Sequence, residues 1–141
     1  MQITQLDTLT YVGPQIFAAN MDDLKRLGIG TIIVARPEGE TDDQPSISDI
    51  RKAANEFGIA VHQIPALPSN ITDGDVRAYC AITSGTDHPV FTYCRSGMRA
   101  TSLWALCAAQ HGADPDEILR TAKDANFDLT TLASRFVKDA A

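Results

Sequence analysis

Hydrophobic and polar positions follow two patterns along the chain: short β-branched runs and longer stretches with helical spacing. The run 31–35 (Thr-Ile-Ile-Val-Ala) is continuous and β-branched, which is typical of a strand buried on both faces of a sheet. Segments 8–12, 59–64 and 89–93 predict three further strands. Helical segments separate the strands, so the pattern predicts an α/β domain with a mostly parallel sheet.

Helix starts are marked by short polar residues with an acidic residue three positions later. Ser46 with Asp49 and Thr72 with Asp75 form two such pairs. A last helix is predicted near 129–136, where apolar residues recur at spacings of three and four. Helices therefore alternate with the strands, and we predict a three-layer domain with helices on both sides of the sheet.

Chain length and charge narrow the function classes. The 141 residues fit one domain, 1–141, with one core. The net charge of −6 argues against nucleic acid or a membrane surface as partner, because both require clustered Lys and Arg. The N-terminus has no basic start and no apolar run, so no signal peptide is expected.

Cysteine usage bears on location and on metals. The three cysteines, Cys80, Cys94 and Cys107, match no zinc spacing and make a disulfide framework improbable. We therefore predict a reducing, cytoplasmic location, no metal and no cofactor. Cys80 and Cys107 lie at apolar helical positions and are predicted to be core residues, with a resolving thiol as the rarer alternative.

A loop between the last predicted strand and the next helix carries the candidate chemistry: Cys94-Arg95-Ser96-Gly97-Met98-Arg99. Free cysteine is mostly protonated at neutral pH, so a cysteine nucleophile needs groups that stabilise its thiolate. Backbone amides at a helix N-terminus stabilise such a negative charge and bind anions. Gly97 permits a tight backbone turn, and Arg99 offers a planar fork for an oxyanion. The loop therefore predicts a nucleophilic Cys94 in an anion-binding site; a packed core cysteine is the alternative.

Arg36 follows the buried strand 31–35 and faces the same predicted edge of the sheet. Two interpretations remain open for it. The side chain contacts an anionic substrate, or it pairs with Glu38, Glu40 or Asp42 in an acidic segment.

The chain resembles the bacterial phosphatase-like domain that occurs alone or fused to beta-lactamase-like hydrolases. The resemblance covers nearly the whole chain, and it rests on the segments 93–99, 102–106, 36–40, 44–46, 117–119 and 128–129. It implies a three-layer α/β/α fold like that of dual-specificity tyrosine phosphatases, with a sheet of four to five strands. The loop itself is similar to a rhodanese loop.

Several residues depart from the phosphatase pattern. Four residues, instead of five, separate Cys94 from Arg99, and Tyr93 stands where phosphatases usually have His. The loop 65–70 has no carboxylate to protonate a leaving group, and Ala100 replaces the usual hydroxyl residue. Asp42, Asp43 and Asp73 are the substitutes considered, although Asp73 at a helix start is more simply explained by the helix dipole.

The shorter loop, the missing carboxylate and the missing His favour a sulfurtransferase, in which Cys94 carries a sulfane sulfur as a persulfide. The partners would be a small anionic sulfur donor and a thiol acceptor. One alternative is a phosphatase that hydrolyses a phosphate ester through a phosphocysteine. The other is a non-catalytic anion-binding module.

Overall fold

A five-stranded sheet forms the centre of the protein. The computed structural model describes residues 2–136. The strands are β1 (Thr4–Asp7), β2 (Thr10–Gly13), β3 (Thr31–Val34), β4 (Ala60–Gln63) and β5 (Val90–Tyr93). The helices are α1 (Met21–Arg26), α2 (Ile47–Asn55), α3 (Asp73–Ser84), α4 (Met98–Gln110) and α5 (Pro115–Asp124), with 3₁₀ helices at Ala18–Asn20 and Thr130–Arg135.

The sheet has the strand order β1-β2-β5-β3-β4. β2, β5, β3 and β4 run parallel, and only β1 is antiparallel to its neighbour. The central strands β3 and β5 are buried at every position because helices cover both faces of the sheet. The carboxyl ends of four parallel strands therefore meet at one edge, and the Cys94 loop starts there.

Two apolar cores fill the space between the layers. One core lies beneath α1 and α2, and it includes Ile32, Val34 and Phe91 from the sheet. The other lies beneath α3, α4 and α5, and it includes Ile33. Helix α4 is buried at ten of its 13 positions, so it is the central helix of its layer. The predicted three-layer, mostly parallel α/β fold is confirmed.

The predicted helix caps are present. Ser46 Oγ accepts a hydrogen bond from the Asp49 amide at 3.1 Å. Thr72 and Asp75 exchange side-chain-to-backbone bonds of 3.0 Å in both directions, which is a complete capping box.

The structure differs from the sequence prediction at both ends of the described chain. Segment 8–12 was predicted as a first strand, but the chain makes the hairpin β1–β2, because Asp7 Oδ1 accepts the Leu9 amide and closes a turn there. The predicted last helix is a 3₁₀ helix, Thr130–Arg135, flanked by the buried Leu129 and Phe136. Among residues 2–136, the helices are all too short or too polar to span a bilayer.

The cysteine prediction was wrong in one respect. Cys80 on α3 and Cys107 on α4 form a disulfide, with a Cα–Cα distance of 5.8 Å. Helical periodicity correctly placed both residues on inward-facing positions, but it carries no information about which neighbouring helix lies opposite. The structure therefore gives no support to a reducing compartment inferred from cysteine usage.

Candidate active site

Cys94 lies directly after β5, and α4 begins four residues later at Met98. This placement at a strand end and a helix start agrees with the sequence prediction. Gly97 is the N-cap of α4 and has a φ of 100°, in the left-handed region. A Cβ atom at this position would lie 2.8 Å from Phe127 Cζ, so both the backbone and the packing require glycine.

The thiol of Cys94 points into the loop. The Gly97 amide donates a hydrogen bond to Cys94 Sγ with an N–S distance of 3.1 Å. Cys94 is only 1% exposed, although it is a free cysteine. A backbone N–H aimed at the sulfur from a helix N-terminus stabilises negative charge on that sulfur.

A buried cluster of two arginines and one glutamate lies at the same edge of the sheet. Glu40 bridges the arginines: its Oε2 accepts from Arg99 Nη1 at 2.9 Å, and its Oε1 accepts from Arg99 Nη2 at 2.7 Å and from Arg36 Nε at 3.1 Å. Arg36 Nη2 is also 3.0 Å from Glu40 Oε1. The Arg99 guanidinium lowers the pKa of Glu40, against an opposing effect of burial, and Arg36 lowers it further. The carboxylate therefore stays charged and holds both cations in place.

The hydrogen bonds of Arg99 leave part of its guanidinium available. Nη1 uses both protons, one on Glu40 and one on the Ala66 carbonyl at 2.9 Å. Nη2 uses one proton on Glu40. Among the described residues, Nε–H and the second proton of Nη2 have no hydrogen-bond partner, and these two donors form one edge of the planar fork. Such an edge fits two oxygens of an oxyanion.

Arg36 is more completely engaged than Arg99. Its Nη1 donates to Gln15 Oε1 at 2.8 Å, and the residue is 1% exposed. The structure confirms the second interpretation of the sequence, in which Arg36 pairs with Glu40. The Arg36 side chain of this pair is buried rather than solvated. Direct contact of Arg36 with substrate stays a prediction.

Asp43 and Asp73, two of the residues considered above as proton donors, have partners of their own. The Thr41 hydroxyl, which donates to Asp43 Oδ1 at 2.8 Å, lowers the pKa of Asp43. Asp73 lies at the start of α3, where its Oδ1 is 3.3 Å from Arg135. The loop 65–70 supplies a backbone carbonyl, that of Ala66, to Arg99 in place of a carboxyl group. The lowered pKa of Asp43 favours its charged form, Asp73 pairs with Arg135, and the loop 65–70 contributes a structural acceptor.

Three side chains of the loop face outward. Arg95, Ser96 and Met98 are exposed, and each lines a different cavity. The Arg95 cavity, of about 240 Å³, also contains Phe17, which is 49% exposed. The loop thus presents a buried sulfur and three outward side chains.

Two contacts of the site were not predicted from the sequence: the bond from Arg99 to Glu40 and the bond from Arg36 to Gln15. Glu40 was predicted as one of three candidate partners of Arg36, with Glu38 and Asp42, but not as a partner of Arg99. The available signal was the position of Glu40, four residues after an arginine that directly follows a buried strand. Burial of that arginine makes a charged partner obligatory.

Comparison with known proteins identifies the family. The pattern of the phosphatase-like domain of beta-lactamase hydrolase-like proteins matches residues 4–111. A beta-lactamase hydrolase-like protein of Agrobacterium fabrum is 31% identical over 130 residues, which are 92% of this chain and 30% of that protein. The chain thus spans about 30% of the length of the curated relatives it matches.

Solved structures agree with this assignment. A structure from Neisseria meningitidis Z2491, described as a candidate phosphatase, is 33% identical, has a TM-score of 0.87 and covers 96% of both chains. The active form of Tk-PTP is 10% identical, has a TM-score of 0.75 and covers 95% of this chain and 92% of that one, which shows the fold alone. These similarities support the phosphatase-like alternative and give no support to the sulfurtransferase that the sequence favoured. The chain belongs to the phosphatase-like domain family of the beta-lactamase hydrolase-like proteins.

Proposed function

We propose that this chain hydrolyses phosphate esters through a covalent phosphocysteine on Cys94. The observation that carries the proposal is the Gly97 amide, which donates to Cys94 Sγ at 3.1 Å where β5 meets α4. An amide aimed at a buried sulfur at a helix N-terminus stabilises a thiolate nucleophile. Membership of a phosphatase-like family supports the choice of phosphorus as the atom attacked.

The reaction takes two displacements. The Cys94 thiolate attacks phosphorus, an S–P bond forms, and the ester P–O bond breaks with its electron pair leaving on oxygen. Water then attacks the phosphocysteine, the S–P bond breaks, and phosphate, a proton and the thiolate are released. The loop amides and the free edge of Arg99 would hold the phosphoryl oxygens during both steps.

The charge state of the carboxylates near the loop bears on the substrate class. Asp43 and Glu40 are held as carboxylates, and the loop 65–70 offers no acid. Neither of these two carboxylates is suited to protonate a leaving oxygen, which would then depart as an anion. We infer a preference for phosphates with weakly basic leaving groups, namely aryl phosphates, acyl phosphates and phosphoanhydrides.

Sulfur transfer is a second candidate, and one observation favours it. Cys94 is only 1% exposed in a loop that has four residues between Cys94 and Arg99. A persulfide adds one atom to the sulfur, whereas a phosphoryl group adds phosphorus and three oxygens. In this reaction the thiolate attacks the outer sulfur of thiosulfate, the S–S bond breaks, and sulfite leaves. An acceptor thiolate then takes the outer sulfur, and the Cys94 thiolate is regenerated.

Parallel assays with p-nitrophenyl phosphate and thiosulfate test both candidates on the same protein. Phosphate hydrolysis should be lost in Cys94→Ser, and an acid quench should trap a phosphoryl adduct that mass spectrometry maps to Cys94. Cys80→Ser is the matched control, because it removes a cysteine outside the site.

The outcomes separate the three interpretations. Hydrolysis with a phosphoryl adduct supports the proposal. A persulfide adduct with no hydrolysis overturns it in favour of sulfur transfer. Neither adduct, together with protection of Cys94 from alkylation by phosphate, overturns both enzymes and leaves the anion-binding module.

A further inference from the structure

A cluster of two cysteines and a histidine lies at the far end of α4 from the active site. The sulfurs of Cys80 and Cys107 and a ring nitrogen of His111 all lie within 4.8 Å of one another. Cys107 and His111 are four residues apart on α4, so their side chains project from the same face of the helix. Cys80 reaches them from α3, which packs against α4.

The spacing fits a tetrahedral metal site once the disulfide is reduced. Zinc bonds of about 2.3 Å to sulfur and about 2.0 Å to nitrogen place neighbouring S and N ligands about 3.5 Å apart, and two S ligands about 3.8 Å apart. The observed distance from Cys107 Sγ to His111 Nδ1 is 3.8 Å. The two sulfurs must separate and the His111 ring must turn Nδ1 away from the Cys107 carbonyl, and all three side chains can do so by rotating about χ1.

The surroundings allow a fourth ligand. A cavity of about 170 Å³ borders Cys107 and His111, which is ample for one water molecule. Cys80 is half-buried and His111 is exposed, so a cation has access from solvent. Two thiolates and an imidazole form a donor set that suits Zn²⁺ and similar thiophilic cations.

We propose that the reduced chain binds one Zn²⁺-class cation through Cys80, Cys107 and His111. A phosphine reduces the disulfide: the S–S bond breaks, the phosphine is oxidised to its oxide with the oxygen of one water molecule, and the two protons of that water complete the two thiols. Binding of the cation then releases both thiol protons. The His111 Nδ1 proton, now donated to the Cys107 carbonyl at 2.9 Å, moves to Nε2 as Nδ1 takes up the metal.

This site is independent of the proposed phosphatase chemistry. Cys107 lies nine residues after Met98 along α4, which is about 14 Å at 1.5 Å per residue. Cys94 therefore lies far from the cluster and is not part of the disulfide, and a resolving role for Cys80 or Cys107 stays a prediction. The disulfide and the metal complex are alternative states of the same two sulfurs.

Cobalt titration tests the proposal. The full chain carrying Cys94→Ser is reduced with a phosphine, the reductant is removed without oxygen, and Co²⁺ is added. We expect one equivalent to bind with intense thiolate-to-cobalt absorption and tetrahedral d–d bands, and Zn²⁺ to displace it. The oxidised form of the same protein should show neither band.

Variants assign the ligands. Cys80→Ser and Cys107→Ser should abolish the thiolate band, and His111→Ala should weaken binding by more than about tenfold, since even second-shell losses cost that much. His62→Ala, at an exposed histidine on β4, is the matched control and should bind like its parent. If a cysteine variant does not fold by circular dichroism, the oxidised parent serves as the folded, non-binding reference. The proposal is overturned by octahedral cobalt spectra in the reduced form, by equal binding in the oxidised form, or by a thiolate band that survives Cys107→Ser.

Discussion

Replacing Glu40 by glutamine perturbs the bridge between the two buried arginines. The side chains of Arg36 and Arg99 are 2% and 6% exposed, and that of Glu40 is 20% exposed. Glutamine keeps the size of the side chain and one acceptor oxygen, but it removes the negative charge. Both guanidinium groups then remain buried without a counter-ion.

The expected loss of stability lies between two limits. An exposed ion pair contributes about 0 to 1 kcal/mol, and removing one partner of a fully buried pair costs about 3 to 5 kcal/mol. Because Glu40 is mostly but not fully buried and glutamine retains an acceptor, we expect a loss of about 2.5 kcal/mol. With a urea m-value of about 2 kcal/mol per M, the unfolding midpoint should fall by about 1.2 M.

Acid titration gives a second, independent readout. The pKa of Glu40 is lowered in the folded protein, chiefly by its hydrogen bond to Arg99, so its contribution to stability is present above the ordinary value of 4.5 and is lost as the pH falls through the lowered value. The difference in unfolding free energy between the parent and Glu40→Gln should therefore be constant near neutral pH. It should shrink progressively as the pH falls below about 4.5.

Glu56→Gln is the matched control, since Glu56 is exposed and should change stability by less than about 0.5 kcal/mol. Equal midpoints for Glu40→Gln and Glu56→Gln would refute the argument, because they would mean that the buried charges need no partner. A pH-independent difference down to strongly acidic solution would show that the loss arises from packing rather than from charge.

Three further substitutions test separate contacts. Arg99→Lys keeps the charge but loses the two-donor edge, so kcat should fall by at least about tenfold while the circular dichroism spectrum is retained; unchanged kcat would contradict a role for the guanidinium. Gly97→Ala should lower the free energy of unfolding in urea by about 3 kcal/mol, because φ is 100° and the added Cβ is crowded. Gly39→Ala, where φ is 67° and the space is open, should lower it by about 1 kcal/mol. Equal losses would show that crowding is unimportant. Asp7→Ala removes the acceptor 2.9 Å from the indole nitrogen of Trp104, the chain's one tryptophan, and should cost about 1.5 kcal/mol. Because Asp7 also accepts the Leu9 amide, the Trp104 contact is tested by fluorescence, which should shift to the red; an unchanged spectrum would refute that contact.

Most of the fold could be predicted because its signals are local. The β-branched run 31–35 and the caps at Ser46 and Thr72 depend on neighbouring residues alone, and the structure contains each of them. The hairpin that precedes β2 could not be predicted in this way. Segment 4–7 has no sustained alternation, and it becomes a strand through its pairing with Thr10–Gly13.

The candidate site also has parts that could be predicted from the sequence and parts that could not. The position of Cys94 at a strand end followed from the sequence, because strand, glycine and helix start are contiguous. The bridge from Glu40 to Arg99 spans 59 positions and joins two loops, so no periodicity reports it. The pairing of Cys80 with Cys107 likewise depends on the rotation of α3 against α4.

The disulfide between Cys80 and Cys107 also has a topological consequence. The two residues are 27 positions apart, and the closed ring contains β5, the Cys94 loop and most of α4. In a chain-entropy description, closing a ring of this size restricts the denatured chain by about 3.5 kcal/mol. A single proteolytic cut within 81–106 would therefore leave two fragments still joined covalently. In the oxidised protein, segment 80–107, which contains Cys94, therefore remains a closed covalent ring even in the unfolded chain.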